Sequence, residues 1–237
     1  MIAKKLINSL NKRIVAIYVL TFALVPIIQL GVMAIYPSLF ESDANIQTFS
    51  AGMNLVWYVL LTSLLFYFTW IYLFKNQWLY FKKNPRRSFA LILLGIFLML
   101  SMNIFINTAF TVLDMDLSSQ NQASLETLMD GRTFDLIALV IFAGVLAPIA
   151  EEIVFRKGLY GLIYNKFGNF AAIIGSGLLF GLIHVTGELT NVISLAPYFG
   201  LGIILGFIYY YSSKMIFIPI AVHAALNIFS LISLLSI

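Results

Sequence analysis

Only two histidines occur in the 237 residues, His184 and His223, and both sit within stretches of Ile, Leu, Phe, Ala and Gly. A carboxylate pair, Glu151-Glu152, ends the apolar run Leu136–Ala150. One carboxylate with two imidazoles is the inventory of a hydrolytic centre, able to take a proton from water and hand it on. Ionisable groups in membrane-buried helices cost several kcal/mol each, so they face a bundle interior and mark working sites.

The spacing divides the labour. In Glu151-Glu152-Ile153-Val154-Phe155-Arg156, Glu152 and Arg156 are i,i+4 neighbours with the carboxylate on the N-terminal side, the favoured orientation for a helical ion pair. Glu151 points elsewhere and has no cation at that spacing, which leaves it as the candidate general base. A blander reading makes Glu151 to Lys157 a cap in headgroup water. Pro148 removes a backbone donor and predicts a kink that leaves the Gly144 carbonyl unpaired. In the second motif, Phe180 and His184 share a helix face, and Gly177 with Gly181 form a small-xxx-small stripe for close helix approach. In the third, His223 and Asn227 lie one turn apart, able to donate to an oxyanion or to bind a metal. The bland alternative for each histidine is a hydrogen bond between helices.

These groups need elements that bring them to one depth. Hydrophobic residues make up 61% of the chain and charged residues 10%, too much apolar surface for a soluble domain of this length. Cysteine is absent, which removes disulfides and thiolate chemistry. Seven apolar segments are long enough to span a bilayer: Ile14–Tyr36, Met53–Phe74, Phe89–Leu113, Phe134–Tyr164, Phe170–Glu188, Val192–Ser212 and Met215–Leu235. The first is too long for a signal core and reads as a retained helix. The expected fold is all-α, a single polytopic membrane bundle over residues 1–237 with seven or eight spans and its catalytic core in residues 134–237.

Alternating the spans from a cytoplasmic N-terminus puts Lys4, Lys5, Lys12, Arg13, Lys75, Lys82, Lys83, Arg86, Arg87, Arg156, Lys157, Lys166 and Lys214 inside and only Arg132 outside. The C-terminus then lies outside. The net charge of +4 follows this topology and implies lipid contact, not nucleic acid. Tyr209-Tyr210-Tyr211, Trp70 and Trp78 fit an interfacial aromatic belt, and Glu188 has no assignment. At 1.5 Å per residue, Glu151 lies about 22 Å from Lys166, and His223 and Asn227 about 13 and 20 Å from Lys214. All can share one layer with His184 if the fourth helix continues past Arg156, with that side chain in a watery cavity or snorkelling.

The three motifs, in this order on late helices, resemble the CPBP family of intramembrane proteases, also called Abi or type II CAAX prenyl endopeptidases: Glu-Glu-xxx-Arg, Phe-xxx-His and His-xxx-Asn are all intact. The resemblance covers roughly Phe134 to Ile237. It implies an intramembrane endopeptidase in which Glu151 activates water with help from His184. His223 and Asn227 would orient that water or stabilise the oxyanion, supported by Glu152, Arg156 and Phe180. It also leaves two options for cofactor: a divalent metal such as zinc on Glu151, His184 and His223, or none. Asn227 is a poor zinc ligand, and no His-Glu-x-x-His is present. The implied partners are membrane lipid and a membrane peptide or protein, either a peptide precursor or a lipidated protein. The implied setting is a bacterial plasma membrane. The alternatives are a non-proteolytic scaffold or bacteriocin-immunity protein of the same fold, and a proton-relay transporter, against which the absence of a repeat speaks.

Overall fold

The computed structural model of the chain describes residues 2–70, 75–115, 120–129, 131–186 and 192–234. Glu188 and the polar turn through Asn191 lie outside the described residues. Among the described residues all regular structure is helical. The order is α1 (Ile2–Ile35), α2 (Asp43–Thr69), α3 (Lys75–Lys83), α4 (Pro85–Val112), α5 (Gln120–Met129), α6 (Thr133–Ile141), α7 (Ala147–Glu152), α8 (Tyr160–His184), α9 (Leu195–Tyr211) and α10 (Phe217–Leu234). Two π-helical segments, Phe142–Leu146 and Ile153–Leu159, join α6 to α7 and α7 to α8.

Five helical stretches among the described residues are long and apolar enough to cross a membrane: Lys5–Ile35, α2, α4, Thr133–His184 and α10. The shorter α9 is also apolar. Large side chains stand bare on the outside, Tyr67, Phe97 and Phe170 among them, a surface that is stable only against lipid. The protein is thus a membrane helical bundle.

The 52-residue stretch Thr133–His184 would be about 78 Å long if straight. It instead doubles back at Gly168, whose φ of 81° lies in the left-handed region. Cross-links between the two arms show the antiparallel register: Phe155 meets Phe180 edge-on at 5.3 Å, Arg156 donates to Ser176, and the Tyr160 hydroxyl donates to Asn169. This hairpin corresponds to the fourth and fifth spans expected from the sequence.

Apolar burial gives helices in lipid little drive to associate, so close packing must hold them. The Gly177–Gly181 stripe of α8 meets α9 backbone to backbone. A Cβ on Gly177 would stand 3.0 Å from the Ile203 nitrogen, and one on Gly181 3.0 Å from the Phe199 nitrogen. The counterpart Gly202 is tighter still, with the Gly177 carbonyl oxygen at 2.7 Å from its virtual Cβ. On the other side of α9, Met99 of α4, Leu205 and Ile208 of α9, and Ile218 and Val222 of α10 form a sealed core.

The basic end is tied together by polar bonds. Gln77 accepts from the Ile216 N–H at 2.7 Å and donates to the Lys214 carbonyl, while Arg87 donates to the Tyr211 carbonyl. Trp70 and Trp78 are exposed there, as a belt requires. Tyr209 is not part of that belt; it is buried and packs edge-on against Tyr160 at 5.2 Å.

Replacing Gly202 with Leu should destabilise the bundle by roughly 1–3 kcal/mol, because a backbone carbonyl cannot yield to the new side chain. Gly31→Ala, inside α1 with nothing within 4 Å of its Cβ, should not lower stability. Denaturant unfolding of both variants in detergent micelles checks the contrast.

Candidate active site

Two irregular turns set the direction of Glu151. In the first π segment the Ala147 N–H bonds back to the Phe142 carbonyl. The next residue is Pro148, which has no N–H, so in this register the Ala143 carbonyl loses its helical donor. Asn227 fills the vacancy: its Nδ2 donates to the Ala143 carbonyl at 2.8 Å. One amide N–H of Asn227 therefore holds the irregular turn to α10, a role different from oxyanion donation. Thr62 of α2 donates to the Leu146 carbonyl in the same stretch.

Glu151 then faces a cavity of about 520 Å³ that is also lined by His184, His223, Asn227 and Phe180. Its Oε2 lies 4.0 Å from His184 Nε2 and 3.9 Å from His223 Nε2. The other oxygen, Oε1, accepts from the Tyr58 hydroxyl of α2 at 3.2 Å. Glu151 is thus not without a partner. The first three helices carry no motif, yet α2 supplies this bond, and Tyr18 and Phe22 of α1 line the same cavity. A tyrosine in an apolar helix gives no sign in the sequence of which carboxylate it will meet.

Each imidazole is fixed from behind. His184 Nδ1 lies 2.8 Å from the Phe180 carbonyl, and His223 Nδ1 lies 3.2 Å from Glu152 Oε1. Both partners are acceptors, so both Nδ1 atoms are assigned the hydrogen and both Nε2 atoms face Glu151. Phe180 packs against both rings, at 4.6 Å from His184 and 5.6 Å from His223. Tyr198 of α9 stacks on His184 at 4.7 Å, a contact missed in the sequence because Tyr198 belongs to no motif.

Behind this layer Arg156 and Glu152 are both fully buried and joined at 2.9 Å. The guanidinium also donates to Ser176 and lies over the Phe180 ring. Arg156 therefore neither snorkels nor lines a watery cavity, and it leaves the set of basic residues assigned to the inner surface. A headgroup cap is ruled out for this motif by the same burial.

A tetrahedral zinc site with bonds of about 2.0–2.1 Å holds neighbouring ligand atoms about 3.3 Å apart. Glu151 Oε2 stands wider than that from both Nε2 atoms, and among the described residues no three His, Cys, Asp or Glu are arranged to hold a metal ion. The donor set as positioned does not fit zinc.

Residues 133–229 match the family model described as Rce1-like, type II CAAX prenyl endopeptidase. Over 94 residues the chain is 33% identical to "Putative membrane peptidase YdiL" of Bacillus subtilis (strain 168), covering 40% of this chain and 36% of that protein. Over 100 residues it is 35% identical to "Membrane-embedded CAAX protease MroQ" of Staphylococcus aureus (strain USA300), covering 39% of this chain and 38% of that protein. The match thus spans little more than a third of each curated relative. No solved structure matches the chain significantly.

Arg156→Met should cost about 3–5 kcal/mol, because it leaves the Glu152 charge buried without its cation. Glu152→Leu combined with Arg156→Met should recover much of that loss while removing the acceptor of His223 Nδ1. Denaturant unfolding of the two variants, compared with wild type, measures the difference.

Proposed function

We propose, for a chain whose residues 133–229 match the type II CAAX prenyl endopeptidase Rce1-like family model, that it hydrolyses a peptide bond within the membrane using a water activated by Glu151. The observation that carries this reading is the 3.9–4.0 Å spacing of Glu151 Oε2 from both Nε2 atoms. A water hydrogen-bonded at about 2.7–2.9 Å to groups spaced in this way subtends about 90° between them, an acceptable geometry for its hydrogen bonds. The same spacing is too wide for direct bonds between the groups.

The proton inventory follows from the fixed tautomers. An ionised Glu151 and two unprotonated Nε2 atoms make three acceptors, whereas one water supplies two hydrogens. With one further proton on an Nε2, the trio offers that water two acceptors and one donor. In the reaction Glu151 takes a proton from the water as its oxygen attacks the carbonyl carbon. The carbonyl oxygen becomes an oxyanion, and a protonated Nε2 of an imidazole donates to it. Collapse of the tetrahedral intermediate breaks the C–N bond, and the proton held by Glu151 passes to the leaving amine.

Tyr58 and Glu152 act as positioning residues: the first holds Oε1 of Glu151 so that Oε2 faces the imidazoles, and the second holds His223. Substrates are membrane peptides or membrane proteins, in a membrane whose basic face is cytoplasmic. The names of the two bacterial relatives, a membrane peptidase and a membrane-embedded CAAX protease, support this reading.

Purified protein incubated with a membrane-peptide pool should generate new termini seen by mass spectrometry. Glu151→Gln should lower that cleavage by at least about a hundredfold, the scale of a lost general base. A parallel incubation with a chelator should leave cleavage intact. Well-folded wild type without Glu151-dependent cleavage would move the assignment to a membrane-binding scaffold.

A further inference from the structure

The cavity does not end at the catalytic layer, and the direction in which it continues can be measured along two helices. Both α4 and α10 start at the basic end, beside Arg87 and Lys214 respectively. On α10, His223 lies about 13 Å from Lys214, whereas the cavity-lining Ser230 and Ser233 lie about 24 and 28 Å away. On α4, the cavity-lining Asn103 and Asn107 lie about 24 and 30 Å from Arg87. The two rulers agree: from the Glu151 layer the cavity runs about 15 Å further, away from the basic surface.

Toward the basic surface the way is closed. Phe155, Arg156 and Phe180 are essentially without exposure, as are Tyr160, Ile216 and Ile218 beyond them. The Arg156 guanidinium over the Phe180 ring seals that floor. The open limb is lined by the carboxamides and hydroxyls of Asn103, Asn107, Gln122, Ser230 and Ser233, interleaved with Leu125, Leu231 and Leu234. These groups carry no charge and offer both donors and acceptors, the chemistry that matches the main chain of an extended peptide.

From these observations we infer that the limb formed by α4, α5 and α10 is a peptide vestibule through which substrate reaches Glu151 from the face opposite the basic loops, the extracytoplasmic face under the positive-inside rule. This rests on the proteolytic reading for what enters, and on the lining and the two helix rulers for where it enters. The occupant is an extended, uncharged segment next to the scissile bond.

The natural absence of cysteine allows a direct test with single-cysteine variants. Ser233→Cys reports the vestibule mouth, and Ser213→Cys, exposed between α9 and α10, reports the basic face. A membrane-impermeant maleimide should label Ser233→Cys on intact cells and Ser213→Cys only in inverted vesicles. Maleimide-modified Ser233→Cys should then lose most of the peptide cleavage shown by the same variant unmodified. Labelling of Ser233→Cys only in inverted vesicles, or full modification with unimpaired cleavage, would overturn the vestibule. If no variant and no wild-type protein cleaves peptide, the proteolytic reading fails separately, and the sidedness of labelling still decides the path.

Discussion

Burying Arg156 and Glu152 together in a membrane protein is the costly step around which the active layer is organised. Each ion gives up several kcal/mol of hydration, and the pair recovers this only with close geometry and further hydrogen bonds. The molecule provides both: a 2.9 Å contact, Ser176 and the Phe180 ring on the guanidinium, and His223 on the second carboxylate oxygen. Those same contacts fix four elements relative to one another, α7, the Ile153–Leu159 turn, α8 and α10. His223 is oriented because a buried carboxylate needs one more donor.

A second constraint works on the backbone. An unpaired carbonyl inside lipid costs several kcal/mol, so a proline in a membrane helix obliges the protein to find a substitute donor. At the π turn the Ala143 carbonyl receives its donor from Asn227, one helical turn beyond His223. The irregular turns also rotate α7 so that Glu151 faces the imidazoles while the adjacent Glu152 faces Arg156. Pro148, Asn227 and Glu151 are thus linked: the defect that aims the carboxylate is stabilised by the helix that brings one of its imidazoles.

The site gathers residues from widely separated parts of the chain, and its inner wall is aromatic. Phe180 touches both imidazoles, Tyr198 covers His184, and Tyr58 holds Glu151 while stacking in parallel on Phe142 at 5.9 Å. Rings with few rotatable bonds keep the polar groups in place. The same wall separates the active layer from the basic surface and leaves the opposite direction open.

Much of this was legible in the residues themselves. Hydropathy set the membrane bundle, because only lipid tolerates so many bare Leu, Ile and Phe side chains. The i,i+4 rule paired Glu152 with Arg156, and the small-xxx-small stripe at Gly177 and Gly181 marked the α8–α9 contact. Both are local rules, decided within one or two turns of helix. Rise per residue allowed Glu151, His184, His223 and Asn227 one layer, provided the fourth helix continued past Arg156. What the sequence left open depends on rotation and on distant partners. Neither the register shift of the π turns, the choice of Ala143 for Asn227, the Tyr58 bond, nor the burial of Arg156 leaves a local trace, since each is fixed by a helix far away in the chain. Sequence by itself determined which groups are present and at what height; the tertiary structure decided which way they face, because facing in a helix bundle is set by packing between helices.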